Sequence, residues 1–474
     1  MEMYERIEQI VVTLRPAFSR TATYEWFVLL LWGVLLASEP AAVSSYVNGI
    51  GLGEAYYHQA LHWFHSSAFS IDQLCHHWGT WLATSARSQR LRGQLVYVGD
   101  GIKVCKEGRQ MPGVKKLHQE SGDVQKPTWI RGHYFSALGL LHSSGQALFA
   151  VPILLKLHDG IEPARTAPDE RTVVDKMADL CIEQMAPGSY GLLDAYYASA
   201  KVLKPFRQKG LHLISRARIS TVARAPFCRC PDKRGPGRPR KWGSPVQLKD
   251  LFAPPEHCST AVVCLYGKSV TVHYQTFLLH WDDADELILF VLTQLPGGRR
   301  IILLSSDPNL TSVEVIEAYG WRFKIEVSFR TLIHLLDGFA YRFWLKVMDP
   351  SSRWPERFKL DDYHPFERLL IAQKVEAFER FVNLNAIALG LLQMLALEMP
   401  LTVWANFPRW FRTLPKHGFP SEQIVRIALQ QKRDCILSES TPQLLLNKLL
   451  ADKIDAHNCL DKTQPEPLSL TENF

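Results

Sequence analysis

The stretch between residues 94 and 214 constrains the fold more than any other part of the chain, because short apolar runs alternate there with helical periodicity. Strands are predicted at 95–98, 128–142, 146–158, 190–193 and 211–214, and helices at 170–186 and 195–210. The second and third strands meet at Ser143-Ser144-Gly145, which is typical of a β-hairpin. This order of strand, hairpin, helix, strand, helix and strand predicts a mixed α/β sheet.

Two aspartates follow predicted strands of this sheet. Asp100 stands between two glycines just after the first strand, and Asp194 directly follows the strand at 190–193. Ligands of α/β sheets bind off the ends of strands. Both aspartates are therefore candidate site residues, although each taken alone could also be an ordinary turn or cap residue.

A third acidic candidate lies in residues 319–336, which we predict to form one helix. At about 100° per residue, one narrow stripe of this helix carries Tyr319, Arg322, Glu326 and Arg330. A carboxylate in that setting can hold a divalent metal, and the flanking guanidinium groups can clamp a phosphate. The alternative is a set of ordinary surface ion pairs at three- and four-residue spacing.

Asp100, Asp194 and Glu326 together form the constellation that we take as catalytic and metal-binding. Oxygen ligands without His or Cys favour Mg²⁺ or Mn²⁺. Two such ions about 4 Å apart can activate a water or a 3′-hydroxyl and stabilise the leaving oxygen of a phosphodiester. The prediction requires the three side chains, which are far apart in the chain, to meet in one pocket.

Several phrases of the sequence occur together with this constellation. They are Val98-Gly99-Asp100-Gly101, Leu193-Asp194-Ala195-Tyr196-Tyr197, Tyr319-x2-Arg322-x3-Glu326, Phe339-Ala340-Tyr341-Arg342-Phe343-Trp344 and Trp410-Phe411-Arg412-Thr413. In combination they resemble the DDE cut-and-paste transposases of bacterial insertion sequences, with the Tyr-x2-Arg-x3-Glu signature. The resemblance covers most of the chain and implies that Asp100, Asp194 and Glu326 are a metal-binding triad.

The resemblance also implies an RNase H-like mixed sheet interrupted by a β-rich insertion and flanked by helical N- and C-terminal domains. The domains expected are 1–92 (helical, DNA-binding), 93–221 (catalytic, first part), 222–298 (insertion with a basic loop), 299–345 (catalytic, second part) and 346–474 (helical, for DNA contacts or dimerisation). Strand-like runs at 261–265, 270–279 and 287–295 support the insertion, and the run at 299–304 supports the return to the sheet.

The activity implied by the resemblance is cleavage and strand transfer on double-stranded DNA. Water attacks at the transposon end and frees a 3′-hydroxyl, which joins target DNA with or without an intervening DNA hairpin. A homodimer is expected because two ends must be cut and joined together. No nucleotide cofactor is implied.

One position departs from the family pattern. The usual lysine seven residues after the glutamate is Ile333 here, so one DNA contact is missing or supplied by Arg330 or His334. This departure leaves open a catalytically inactive, domesticated relative that only binds DNA. A metal-dependent phosphohydrolase of small substrates is a third alternative, which the extended basic surface opposes.

The basic residues form the expected DNA-binding surface. The candidates are Tyr319, Arg322, Arg330, Lys103, Lys106, Arg238, Arg240 and Lys241. Residues 201–249 are rich in lysine and arginine and almost free of acids, which suits either a phosphate-tracking surface or a solvated charged face. Within them, residues 236–239 resemble the core of a minor-groove AT-hook.

The remaining composition narrows the setting. Nine cysteines without a disulfide rhythm and no signal peptide indicate a reducing, cytoplasmic setting. The resemblance implies a bacterial protein associated with the nucleoid. The apolar run at 26–37 is too short to span a bilayer, so it predicts a buried helix and no membrane association. The pair His58 and His62 and the group Cys228, Cys230, His257 and Cys258 are weak metal-site candidates, because neither has the usual ligand spacing.

Overall fold

The structure is a computed structural model of the 474-residue chain. It describes residues 2–119, 127–145, 147–157, 161–162, 171–226, 242–282, 284–352, 358–408, 418–437 and 444–461. The α-helices are α1 (Glu2–Val12), α2 (Thr21–Leu36), α3 (Val43–Gly49), α4 (Tyr57–Trp63), α5 (Ile71–Thr84), α6 (Val173–Gln184), α7 (Ala200–Gln208), α8 (Ser312–Trp321), α9 (Lys324–His334), α10 (Pro365–Glu398), α11 (Pro400–Asn406), α12 (Glu422–Gln430), α13 (Arg433–Leu437) and α14 (Leu445–Asp461).

The strands form a large mixed sheet and one small pair. They are β1 (Arg90–Leu91), β2 (Gln94–Cys105), β3 (Lys115–His118), β4 (Trp129–Ser144), β5 (Ala147–Leu157), β6 (Ile161–Glu162), β7 (Tyr190–Leu193), β8 (His212–Ala217), β9 (Val222–Pro226), β10 (Trp242–Gln247), β11 (Ser259–Leu265), β12 (Lys268–Trp281), β13 (Glu286–Gln294), β14 (Arg300–Ser305) and β15 (Phe358–Lys359). The predicted mixed α/β class is confirmed, as is the β-hairpin, formed by β4 and β5.

Three adjacent strands are parallel at the centre of the sheet. β7 pairs parallel with β2 on one side and with β8 on the other, whereas β4 pairs antiparallel with β2 and β5 with β4. The order across this part is therefore β5-β4-β2-β7-β8. The two parallel neighbours are reached through the crossover helices α6 and α7, because parallel strands cannot be joined by a tight turn.

The strands of the predicted insertion continue this same sheet. β14 pairs antiparallel with β8, followed by β13 and β12, with β9 and β11 both on β12 and β10 beyond β9. Their side chains alternate between buried and exposed more often than those of β4, whose middle is buried throughout. The sheet is thus covered on both faces at its centre and on one face at this end.

Helices from both ends of the chain pack together over the sheet. α10 contacts β5, α2, α5 and α12, and the Tyr4 hydroxyl donates to the carbonyl of Leu429 at 2.5 Å. α10 is long and apolar enough to cross a membrane, but 94% of its apolar window is buried inside the protein. The predicted buried helix at 26–37 is confirmed as α2, whose residues from Trp26 to Leu36 are all buried.

The chain from residue 319 to 336 is two helices instead of the single helix predicted. α8 ends at Trp321 and α9 begins at Lys324, with Arg322 and Phe323 between them. Across the break the amides donate three residues back, from Arg322 to Tyr319 and from Ile325 to Arg322, both at 3.2 Å. Bonds of this spacing tighten the helical turn and change its axis. Apolar periodicity continued through the break, so the sequence pattern did not reveal it.

Candidate active site

Asp100 and Asp194 lie side by side because the sheet brings them to the same level. The parallel pairing of β2 with β7 runs up to Gly99 opposite Leu193, and each aspartate is the next residue of its strand. Asp194 stands at the end of β7, as predicted. Asp100 does not end its strand, because β2 continues to Cys105 through its antiparallel pairing with β4.

Arg322 joins these aspartates to Glu326. Its Nη1 lies 3.0 Å from Oδ2 of Asp100, while its Nη2 lies 2.6 Å from Oε1 of Glu326 and 4.0 Å from Oδ1 of Asp194. The Tyr319 hydroxyl donates to Oδ1 of Asp194 at 3.4 Å. The three carboxylates that were predicted to share a pocket therefore lie around one guanidinium group, that of Arg322.

The cluster is only partly open to solvent. The Arg322 side chain is 14% exposed and that of Asp100 is 20% exposed, compared with 42% for Glu326. Burial raises the pKa of Asp100 to about 6, although Arg322 and the amide of Gly101 both lower it. Burial by itself lowers the pKa of Arg322, but the neighbouring carboxylates outweigh it and raise that pKa above its ordinary value. The guanidinium consequently stays charged and holds the acids together.

A cavity of about 220 Å³ opens beside Asp194 and Arg322. Its other lining residues are Arg216, Leu265, Tyr266, Leu295, Arg299, Ile301, Leu303, Ile316, Tyr319, Gly320 and Phe323. Two further arginines thus accompany a mostly apolar wall. Such a wall, together with cationic groups, suits part of a phosphate-bearing organic ligand.

Arg216 was not predicted as a site residue, and the sheet explains its position. β8 pairs with β7 so that Ile214 lies opposite Leu192, and Arg216 is two residues further along. It therefore lies level with Asp194 on the neighbouring strand. The predicted strand stopped at residue 214, so the sequence did not place Arg216 at the tip where the aspartates lie.

The donor set fits a hard divalent cation, although the cluster is arranged around an arginine. Within the described ranges, no three His, Cys, Asp or Glu side chains stand close enough to hold a metal ion directly. Asp100, Asp194 and Glu326 nevertheless offer only carboxylate oxygens, which Mg²⁺ and Mn²⁺ prefer. They already converge on one cation, the guanidinium of Arg322.

The other predicted DNA contacts lie in different settings. Arg330 is exposed on α9, as are Ile333 and His334. The ammonium of Lys103 donates to the carbonyl of His118 at 2.7 Å. Arg238, Arg240 and Lys241, together with the AT-hook-like stretch that holds Arg238, lie outside the described residues, as do Cys228 and Cys230.

Lys106 is placed differently from the exposed contact that was predicted. Its ammonium donates to the carbonyl of Phe339 and lies 3.7 Å from the ring centroid of Tyr341. Burial lowers the pKa of Lys106 to about 8. The side chain thus packs inward against the segment after α9, because its ammonium gains a carbonyl acceptor and the face of an aromatic ring there.

Comparison with known proteins agrees with this geometry. The family described as DDE superfamily endonuclease matches residues 13–277, which include Asp100 and Asp194 and end before Glu326. The match spans more than half of the 474 residues, so the chain belongs to the DDE superfamily of endonucleases.

Two further comparisons add less. A search of curated proteins finds no relative of the chain. Among solved structures, the piggyBac transposase synaptic complex with hairpin DNA, determined by cryo-electron microscopy, matches at 10% identity and a TM-score of 0.35. That match covers 95% of this chain and 78% of the other. A TM-score this low does not establish a common fold.

Proposed function

We propose that the chain is a DNA transposase of the cut-and-paste type. It binds transposon terminal repeats, cleaves the ends by phosphodiester hydrolysis and joins the freed 3′-hydroxyl ends to target DNA. One observation carries the proposal: in a DDE-superfamily chain, Asp100, Asp194 and Glu326 converge on one cation at the end of the parallel strands.

The strand order supports an RNase H-like catalytic core. In that fold the first strand is central, the second and third follow it antiparallel in turn, and the fourth and fifth are parallel on its other side. The order β5-β4-β2-β7-β8 fits this arrangement, with β2 as the first strand. The catalytic aspartates would then lie on the first and fourth strands.

The proposed cofactor is Mg²⁺ or Mn²⁺, with two ions per site held by Asp100, Asp194 and Glu326. When bound, such ions make water a stronger nucleophile and stabilise the charge of the leaving oxygen. In the hydrolysis, a water oxygen forms a bond to phosphorus while the bond from phosphorus to the 3′-oxygen breaks. The products are a 3′-hydroxyl and a 5′-phosphate.

The arginines of the site are placed to hold the DNA backbone. Arg216, Arg299 and Arg322 all line the cavity beside Asp194. One guanidinium group can bind two phosphate oxygens at once. This fixes the position of the phosphodiester and also balances its charge. A DNA strand that enters this cavity would therefore meet three guanidinium groups beside Asp194.

The wider setting is part of the same proposal. Two ends must be cut together, so we propose a homodimer on paired ends, acting in the bacterial cytoplasm on nucleoid DNA. The exposed Ile333 gives no charge to a phosphate, so Arg330 and His334 on the same helix are the candidates for that contact.

The test is a gel assay on a labelled duplex that carries the terminal repeat flanking the coding sequence, with MgCl₂ or with EDTA. The proposal predicts cleavage in MgCl₂ that is lost in Asp194→Asn and Glu326→Gln and kept in Asp250→Asn, an exposed carboxylate outside the cluster. Binding without cleavage in MgCl₂ would instead support the inactive, DNA-binding relative. Neither binding nor cleavage would exclude both.

A further inference from the structure

The tip of the β11–β12 hairpin reaches the break between α8 and α9. Leu265 pairs with Lys268, so Tyr266 and Gly267 form a two-residue turn. Both have left-handed backbones, with φ of 54° and 76°. This is the form that suits a tight β-hairpin, but it is uncommon for a bulky residue such as tyrosine. The turn therefore presents the Tyr266 side chain at a defined place.

Three successive residues of this tip contact three successive turns of the helix. The amide of Cys264, on the free edge of β11, donates to Oε1 of Glu317 at 3.1 Å. A Cβ added to Gly320 would lie 2.8 Å from Cδ2 of Leu265, so the Leu265 side chain packs closely against the helix at this glycine.

The third contact lies at the break itself. The rings of Tyr266 and Phe323 meet edge to face, with centroids 5.6 Å apart and planes at 90°. At the other end of α8, the hydroxyl groups of Thr276 and Ser312 lie 2.5 Å apart. The hairpin thus follows α8 along its whole length and ends on Phe323, one of the two residues between α8 and α9.

The same break carries the cation of the candidate site. Arg322 precedes Phe323 directly, and its guanidinium contacts Asp100 and Glu326. A helix that is interrupted at this point bends more easily than a continuous one, because the series of hydrogen bonds between residues four apart is broken. The position of Arg322 relative to the sheet therefore needs support from outside the two helices.

We propose that the β11–β12 hairpin is a brace that sets the angle of the α8–α9 break, with Tyr266 as a positioning residue for Arg322 and Glu326. Tyr266 also lines the cavity beside Asp194, but in this proposal its ring acts through Phe323 and takes no part in the chemistry. The effect on the helix break stands on the contacts alone, whereas its consequence for DNA cleavage rests on the proposed function.

The test compares Tyr266→Ala with Tyr266→Phe, which keeps the ring, and with Val262→Ala, a control on the same hairpin whose side chain is 67% exposed. Amide hydrogen exchange of the whole chain is followed by mass spectrometry. Tyr266→Ala is expected to speed exchange across residues 317–327 about fivefold, while β4 and α10 stay unchanged. Tyr266→Phe and Val262→Ala are expected to exchange like the unaltered protein.

A second variant covers the case in which Tyr266→Ala does not fold. Glu317→Ala removes the acceptor for the Cys264 amide and is expected to speed exchange in the same residues, to a smaller degree. Unchanged exchange at 317–327 in the folded variants overturns the brace.

The catalytic consequence is measured separately. On the terminal-repeat duplex in MgCl₂, Tyr266→Ala is expected to lower the single-turnover cleavage rate about tenfold, because small misplacements of site groups are costly. Its DNA affinity in EDTA should stay within about twofold, and Tyr266→Phe should restore the rate. Because Tyr266 lines the cavity, a loss of affinity in Tyr266→Ala, with or without one in Tyr266→Phe, would mean that its side chain contacts DNA, which overturns the positioning role. Absence of cleavage in the unaltered protein would contradict the proposed function, while the exchange result would still decide the brace.

Discussion

Two charged clusters lie against the central sheet, and the charges of their carboxylates are balanced in different ways. Around Lys156, on β5, the ammonium lies 2.7 Å from Asp72 and 3.7 Å from the buried Glu379. Glu379 also accepts the backbone amide of Leu157 at 2.8 Å. Part of this cluster is therefore bound to the main chain, which cannot move away without unfolding the edge of the sheet.

In the cluster around Arg322, a single side chain supplies the positive charge that balances the carboxylates. Three carboxylates share one guanidinium, so two negative charges are left over when all are ionised. Among the residues that the structure describes, the main-chain group that donates to a carboxylate of this cluster is the amide of Gly101, which donates to Asp100 at 2.8 Å. A cluster with excess negative charge and a movable counter-ion can exchange that counter-ion for others. The difference suggests that the Lys156 cluster stabilises the fold and the Arg322 cluster serves chemistry.

The largest expected effect is on DNA cleavage, which should depend on the Arg322 cluster and not on the Lys156 cluster. Asp194→Asn should lower the cleavage rate about 1000-fold, because the proposed metal ions, which would stabilise the charge of the transition state, would lose a carboxylate ligand. Its free energy of unfolding should not fall, since one repulsive charge is lost. Single-turnover cleavage and urea unfolding measure the two quantities, with Asp250→Asn as the control. An active Asp194→Asn would remove the catalytic role from this cluster.

The next effect concerns the other cluster. Glu379→Ala should lower the free energy of unfolding by about 3 kcal/mol, because Lys156 and the Leu157 amide lose a buried partner. Cleavage per folded molecule should stay as it is. Urea unfolding followed by fluorescence gives the first value, with the exposed Glu256→Ala as control. A loss no larger than that of the control would show that the buried charge is not structural.

Removing the guanidinium tests whether the counter-ion is exchangeable. Arg322→Ala should destabilise the protein in EDTA by about 2 kcal/mol, since the carboxylates are left to repel one another. Added MgCl₂ should restore more stability to this variant than to the unaltered protein, as seen in thermal unfolding. Arg330→Ala, an exposed arginine on the same helix, should show neither change. Equal responses to MgCl₂ would contradict cation exchange at this site.

The last expected effect is a dependence of stability on pH, which is small within any one pH unit. Burial raises the pKa of Glu379 to about 7, above its ordinary value of 4.5. The folded protein therefore keeps a proton that the unfolded chain loses, and the stability from this proton is present below pH 4.5 and lost as the pH rises to 7. Relative to Glu379→Gln, the unaltered protein should lose about 1.4 kcal/mol per pH unit over that interval. Parallel pH profiles of the two proteins in urea unfolding would contradict the shift.

Local patterns in the sequence were sufficient for much of the site. Short-range periodicity predicted the strand before Asp194 and the β4–β5 hairpin. It also predicted that Tyr319 and Arg322, three residues apart, share one helix face. The contact of Arg322 with Glu326 is also local, because side chains four residues apart share a helix face. These features depend on neighbours within one or two turns, so one sequence suffices to predict them.

The positions of β14 and Tyr266 depended on contacts that no local pattern contains. β14 pairs with β8 across more than 80 residues, and this pairing makes the predicted insertion an extension of the main sheet. Likewise, Tyr266 meets Phe323 only because the β11–β12 hairpin folds back onto α8. Sequence determined the residue types and their spacing along each element, whereas register between distant strands and the break at Arg322 were decided by tertiary packing. The physical reason is that hydrogen bonds between strands and the burial of facing side chains join residues whose separation along the chain is not fixed by any periodicity.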